Sequence, residues 1–335
     1  MKRWMFSILL LTLLLSGCAI VSPTLNPIPP ASQIPTILPT TEPVVKNTAH
    51  TTEQDTEGLT LVDGLGREVV MPNTPSKIVS LAPSNTEILF AVGAGDQVVG
   101  RDSFSDNPAE ALEVPDIGGD FGELNIELIV SLTPDLILAS ELSPPEQISS
   151  LEKMDLTVYY LSNPEDMEGL YENLITVGKL TGHEQEASVL AGELRERVAL
   201  VEEKVGQANE RPLVFYELDG TESSNPWTAG AGTFIDKLIT MAGGNNLGGK
   251  LESEWAQMSL EALLIEDPEY ILLGDSIWGG VTVESVRERT GWQNLSAVKE
   301  GRVFPFDDNL LSRPGPRMVD GLEALARLLH PDLFE

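Results

Sequence analysis

One stretch of this chain occurs twice. Leu124-Asn125-Ile126-Glu127-Leu128-Ile129-Val130-Ser131-Leu132-Thr133-Pro134-Asp135-Leu136-Ile137-Leu138 lies over the fifteen residues from Met258 to Leu272 at a constant offset of 134, without a gap. In each copy a glutamate, Glu127 or Glu261, opens a short helical segment. A proline–acid pair then ends it, Pro134-Asp135 or Pro268-Glu269, and a run of Ile, Leu or Tyr follows. Proline cannot continue a helix, and an unbroken apolar run fits a parallel strand covered on both faces. The same plan at two distant places predicts two similar α/β lobes. A weaker pair agrees with it: Thr86-Glu87-Ile88-Leu89 running to Gly93, and Thr233-Phe234-Ile235-Asp236 running to Gly243-Gly244.

Between the copies, from Glu184 to Val205, apolar residues fall at Leu190, Leu194, Val198, Val201 and Val205, a helical stripe on an otherwise charged segment. At 1.5 Å per residue such a helix runs about 30 Å, enough to cross from one lobe to the other. The predicted fold is therefore α/β: two similar Rossmann-like lobes with a ligand cleft between them, joined by one long α-helix. Residues 59–176 make the first lobe, 177–208 the helical linker and 209–335 the second lobe. The first lobe opens with a hairpin around Asp63-Gly64, then a strand from Lys77 to Leu81 that feeds a helix ending at Gly93. Ser84 with Glu87 three residues on has the spacing of a capping box.

The N-terminus sets the compartment. Lys2 and Arg3 precede an apolar run from Trp4 to Leu15, too short for a comfortable membrane span of about 20 residues and laid out like a secretory signal. Leu15-Ser16-Gly17-Cys18 resembles the lipobox of bacterial lipoproteins, in which the cysteine is acylated and becomes the new N-terminus. Residues 1–17 are thus read as signal peptide, and Cys18 as a lipid anchor at the outer side of the cell membrane. Residues 18–58 follow, rich in proline and threonine with no sustained apolar period. That composition buries too little surface to fold and makes a semi-extended tether.

Composition narrows what the folded part can do. Acidic residues outnumber basic ones by 52 to 21, a formal net charge of −31, which disfavours nucleic acid and anionic surfaces. The three histidines and single cysteine are too few for a multi-histidine centre or a cysteine cluster, so no metal site is expected. Nor is there a nucleophile–base constellation: Cys18 belongs to the lipobox and Ser84 carries no hydrolase signature, so no enzyme is expected.

Several segments resemble the class III, Fe/B12-type periplasmic binding domain of ABC importers, most closely its cobalamin-binding branch. They are Ile78-Val79-Ser80-Leu81-Ala82-Pro83-Ser84-Asn85-Thr86-Glu87, Asp102-Ser103-Phe104-Ser105-Asp106-Asn107-Pro108, Gly118-Gly119-Asp120-Phe121-Gly122-Glu123, and Leu311-Ser312-Arg313-Pro314-Gly315-Pro316-Arg317. The resemblance covers about residues 60–330. It implies a monomeric two-lobed binding protein that captures a corrinoid, a vitamin B12-like ring, without a cofactor of its own. An iron-siderophore or haem is the alternative ligand of the same class. It implies as partners the transmembrane subunits of an ABC permease, with a cytoplasmic ATPase behind them.

Matched residue by residue, the resemblance assigns Phe104, Phe121 and Trp227 to the ligand's flat face, and Asn309 and Arg313 to its periphery. Phe121 replaces a larger indole, and Asn309 stands where an acid can occur. Glu127 and Glu261 match glutamates that meet arginines on the two permease subunits. The chemistry is compatible: aromatic walls cover an apolar ring face while arginine, asparagine and aspartate meet an amide rim.

Overall fold

The chain's computed structural model describes residues 58–119 and 123–335; Cys18 with its leader, the tether through residue 57, and Phe121 lie outside the described residues. A hairpin comes first, β1 (Leu59–Val62) paired antiparallel with β2 (Glu68–Met71). Its turn is held by Asp63, whose Oδ1 accepts the backbone N–H groups of Leu65 and Arg67, both at 3.0 Å.

The first lobe runs β3 (Ile78–Ser80), α1 (Pro83–Ala91), β4 (Val98–Arg101), α2 (Ile126–Leu132), β5 (Leu136–Ala139), α3 (Pro145–Glu152) and β6 (Val158–Tyr160). Its four strands are parallel, in the order β4-β3-β5-β6. Two packed helices follow, α4 (Met167–Thr181) and α5 (Glu184–Val205). The second lobe runs β7 (Leu213–Glu217), β8 (Trp227–Ala229), α6 (Phe234–Met241), β9 (Asn245–Asn246), β10 (Trp255–Gln257), α7 (Leu260–Glu266) and β11 (Tyr270–Leu273). It ends with α8 (Val283–Glu288), α9 (Ser296–Lys299), β12 (Val303–Pro305), α10 (Asn309–Ser312) and α11 (Met318–Leu329). Its parallel sheet has the order β9-β7-β11-β12. Setting aside the small β8–β10 hairpin, both sheets place the second strand, then the first, third and fourth. The two lobes therefore share one topology.

The repeat is reproduced to the residue. Adding 134 to the bounds of α2 and β5 gives the bounds of α7 and β11. Thr133 and Asp267, each just before the proline, both take left-handed backbone, at φ 51° and 46°. The weaker pair is shifted. Thr233 caps α6 by accepting the N–H of Asp236, whereas α1 begins at Pro83 and Thr86 lies inside it. The capping box is also absent: the residue before α1 is Ala82, with no side-chain cap, and the Glu87 carboxylate turns away to an arginine.

Alternation along the strands shows how the lobes share a core. On β5, Leu136 and Leu138 face one cluster, and Ile137 and Ala139 the other. On β7, Val214 and Tyr216 face that first cluster, and Phe215 a third. The first cluster is continuous from the first sheet, through Ala187, Ala191, Leu194, Val198, Val201 and Val205 of α5, to α6, α11 and the second sheet. The stripe that marks α5 in the sequence is thus its buried face, with Leu190 only partly covered. Gly182 (φ 79°) ends α4 in the left-handed region and reverses the chain into α5. Both sheets lie within one unit, Asp55–Glu335.

Candidate functional site

In open parallel sheets, loops at the C-terminal ends of the strands build the site, at the point where connections leave in opposite directions. Here that point lies between β3 and β5 in one lobe and between β7 and β11 in the other. On the first lobe the loop after β4 is pinned beneath α1. Thr86 Oγ1 lies 2.8 Å from Ser80 Oγ and 2.7 Å from Ser105 Oγ, and Ser105 donates to the buried Asp102 carboxylate. Phe104 N donates to Asp102 Oδ1 at 3.0 Å, and the Phe104 side chain stands 42% exposed. Burial pushes the Asp102 carboxyl up; its bonds to Ser105 and Phe104 and the charge of Arg313 oppose the shift.

On the second lobe Trp227 is tied to the end of β7 by two backbone bonds, Leu218 N to Trp227 O and Trp227 N to Asp219 O, both 2.9 Å. It opens β8, where it faces Gln257, while Ala229 of the same strand faces Trp255. Cross-strand partners and alternate residues share a face, so Trp227 and Trp255 are on one side of the hairpin. They are 40% and 48% exposed, and Trp278, in the loop after β11, is 59% exposed. Large aromatics are normally well covered, as Trp292 is here at 0%. Trp255 and Trp278 are not singled out by the sequence reading. Pairing of β10 with β8, across 28 residues, is what brings Trp255 beside Trp227.

The lobes meet through arginines. Arg317 grips Glu87 of α1 with Nε at 2.9 Å and Nη2 at 2.5 Å. Arg313 Nη1 lies 2.5 Å from Asp106 Oδ1 and 3.6 Å from Glu87 Oε1. Asn309 is held by Asp307, whose Oδ1 accepts from its backbone N at 3.1 Å and its Nδ2 at 3.0 Å. Arg313 and Asn309 both follow β12, and Arg313 reaches Asp106 in the loop of Phe104. Deeper in the second lobe Arg289 forks onto the fully buried Glu217 at 2.5 and 2.9 Å and lies over the Trp292 ring. Burial raises the Glu217 carboxyl to about 7 against the pull of Arg289. Asp275 Oδ2 accepts from Gly220 N at 2.8 Å, and its Oδ1 is buried without a protein partner among the described residues.

Glu127 and Glu261 are exposed in the first turns of α2 and α7. Each helix passes through a three-residue turn into a parallel strand, so its N-terminus lies toward that strand's C-terminal end, the cleft edge. The helix caps are other residues: Asn125 accepts from Leu128 N, and Ser259 from Ala262 N. Neither glutamate has a hydrogen bond or ion pair among the described residues. A cavity of about 620 Å³ opens elsewhere, at the N-terminal edge of the second sheet beside Pro212, Glu269 and Arg302. Among the described residues no His/Cys/Asp/Glu group is arranged to hold a metal ion, and no helix is long and apolar enough to cross a membrane.

The model of a family described as periplasmic binding protein matches residues 78–310. The uncharacterized ABC transporter substrate-binding lipoprotein YvrC of Bacillus subtilis is 32% identical, over 83% of this chain and 87% of its own length. A cobalamin-binding protein of Halobacterium salinarum is 28% identical, over 98% of this chain and 86% of its own. Among solved structures, the periplasmic vitamin B12 binding protein BtuF of Vibrio cholerae has 28% identity and a TM-score of 0.66, covering 78% of this chain and 99% of that one. The periplasmic heme-binding protein RhuT of Roseiflexus sp. RS-1 has 27% identity and a TM-score of 0.69, covering 77% and 99%.

Proposed function

The chain belongs to the periplasmic binding protein family, and from that premise we propose that it captures a corrinoid and delivers it to the permease of an ABC importer. Such a protein works outside the cytoplasm and binds its solute without transforming it. What supports the ligand reading is a set of exposed aromatic side chains in segments that follow the sheet strands: Phe104 after β4 on one lobe, and Trp227 of β8, Trp255 of β10 and Trp278 after β11 on the other. A broad flat ring is the ligand that covers several such faces at once, and tryptophan and tyrosine dominate binding where they do so. Arg313 and Asn309 are proposed to meet its amide rim, with Phe121 as a further aromatic. The names of the Halobacterium and Vibrio proteins support a corrinoid over other flat rings.

The body is proposed as two lobes joined by α5, monomeric, anchored through Cys18 and the 18–58 tether; the Bacillus relative's name also says lipoprotein. Glu127 and Glu261 are proposed to dock the two lobes on the permease. Support for docking over helix capping comes from Asn125 and Ser259, which already cap α2 and α7.

The test is to mix the purified protein with cyanocobalamin, haemin and a ferric siderophore, desalt, and record the visible spectrum. Cyanocobalamin retained in equal amount to protein is the expected result. Retention of haemin or the siderophore in its place overturns the corrinoid reading. Replacing Cys18 with Ser should abolish labelling by a fatty-acid probe; unchanged labelling removes the anchor.

A further inference from the structure

The arginines that reach the strand ends through ion pairs are already engaged, and Arg101, the last residue of β4, donates to the carbonyls of Ala111 and Asp102. Arg317 is on Glu87, Arg313 lies between Asp106 and Glu87, and Arg289 is on Glu217. No lysine follows β3, β4, β5, β6, β7, β11 or β12 before the next helix, and Lys250, after β9, is paired with Glu266. Carboxylates remain in excess at the same strand ends. Asp102 follows β4, Asp219 follows β7, Asp275 follows β11, and Asp307 and Asp308 follow β12; none has an ion-pair partner among the described residues. Tyr216 donates to Asp308 at 2.6 Å, and Asn309 occupies Asp307, so these acids are held by neutral donors.

We propose that this edge selects its ligand by charge, accepting a ring rimmed with neutral amides and rejecting one that carries free carboxylates. The inference rests on the corrinoid reading and narrows it to the fully amidated form. An incoming carboxylate would face several acids whose neighbouring arginines, Arg313, Arg317 and Arg289, are already paired. To gain one it would have to draw Arg313 or Arg317 away, leaving Glu87, whose side chain is 2% exposed, without part of its counter-charge. An amide avoids both costs. Its N–H₂ donates to an aspartate while its oxygen accepts from an arginine N–H that the existing ion pair leaves over, since a guanidinium has five donors. Burial already raises the Asp102 and Asp275 carboxyls, which marks the edge as a poor host for further negative charge.

The full-length protein in detergent would be titrated with cyanocobalamin, with cyanocobalamin in which one peripheral amide is hydrolysed to the acid, and with haemin. Each titration is run at low and high salt. The acid should bind at least tenfold more weakly than the parent corrinoid, with the gap narrowing at high salt because screening weakens the repulsion. The gap should also narrow in Asp106→Asn, which releases Arg313. Equal binding of amide and acid overturns charge selection and leaves the corrinoid reading standing. Failure to bind cyanocobalamin overturns that reading and the selection with it, and haemin binding more tightly than cyanocobalamin overturns both.

Discussion

The carboxylate of Glu87 and the guanidinium of Arg317, 230 residues apart, form a two-pronged ion pair between α1 of the first lobe and the start of α11 in the second. Glu87 is almost wholly covered, and Arg317 is about a quarter exposed. Removing one partner of a covered pair leaves the other charged in a poor solvent. Arg317→Ala should therefore destabilise the protein by about 2 kcal/mol, less than for a fully buried pair because Arg313 remains 3.6 Å from Glu87. For a body of this size that lowers Tm by about 4–8 °C. A double-mutant cycle with Glu87→Gln should give a coupling near 1–2 kcal/mol. Additive losses would mean that the two residues act separately.

Stability should also depend on pH in an acid-shifted way. Glu217, raised by burial from 4.5 to about 7, binds a proton in the folded state that the unfolded chain has released. Between these values stability is lost as pH rises, at up to about 1.4 kcal/mol per pH unit for one proton. Asp102 and Asp275, also raised by burial, act with the same sign. Asp135 and Asp267 are lowered by hydrogen bonds from Ser76 and Ser296, so their contribution is present above the ordinary carboxylate range and lost below it. The two trends place maximum Tm near pH 5, and Glu217→Gln should flatten the decline from pH 5 to 7. Parallel curves for parent and variant over that window would exclude Glu217 as its source.

Thr133 and Asp267 share a left-handed backbone but not its supports. Asp267 accepts from Ser296 N at 2.7 Å and Ser296 Oγ at 2.6 Å, and both bonds vanish in Asp267→Gly. Thr133 accepts only from exposed Lys77 Nζ, at 2.8 Å, and a β-branched residue is costly at positive φ. Glycine there relieves strain while adding unfolded-state entropy. Urea denaturation should find Thr133→Gly within about 0.5 kcal/mol of the parent and Asp267→Gly weaker by about 1–2 kcal/mol. Equal losses would show that the backbone, not the serine bonds, sets the cost.

The doubled architecture was legible because it is written in local signals. Proline after a left-handed residue stops α2 and α7, and a four-and-three apolar spacing marks α5, so neither needs distant information. The site was less legible because its geometry is long-range. Ser84 and Glu87 have capping spacing, yet Pro83 starts the helix after Ala82, and the partner of Glu87 lies beyond β12. Arg313 stands out in the sequence beside Pro314-Gly315-Pro316, but its ion pair with Asp106 depends on two segments brought together only by the fold. Trp255 and Trp278 have no local mark that separates them from the buried Trp292. The unusual signal, visible only after folding, is that three of the four described tryptophans remain exposed.

Docking on a permease gives the last prediction. Glu127 and Glu261 occupy the same place in two helices of identical length, and one turn later each is followed by an exposed apolar residue, Val130 or Leu264. An acid beside an apolar side chain, repeated once on each lobe, suits a partner that offers a basic residue in an apolar setting twice. Lys at both positions turns attraction into repulsion at two points of one surface. In vesicles reconstituted with the cognate permease and ATPase, Glu127→Lys with Glu261→Lys should reduce transport and ATPase stimulation at least tenfold, and each single change should fall between. Corrinoid affinity should stay within twofold, because neither side chain is among the groups proposed to meet the ring. A lysine near a helix N-terminus costs up to about 1 kcal/mol, so a small fall in Tm is expected and does not explain lost transport. Parental transport by the double variant would reduce both glutamates to favourable charges at helix ends.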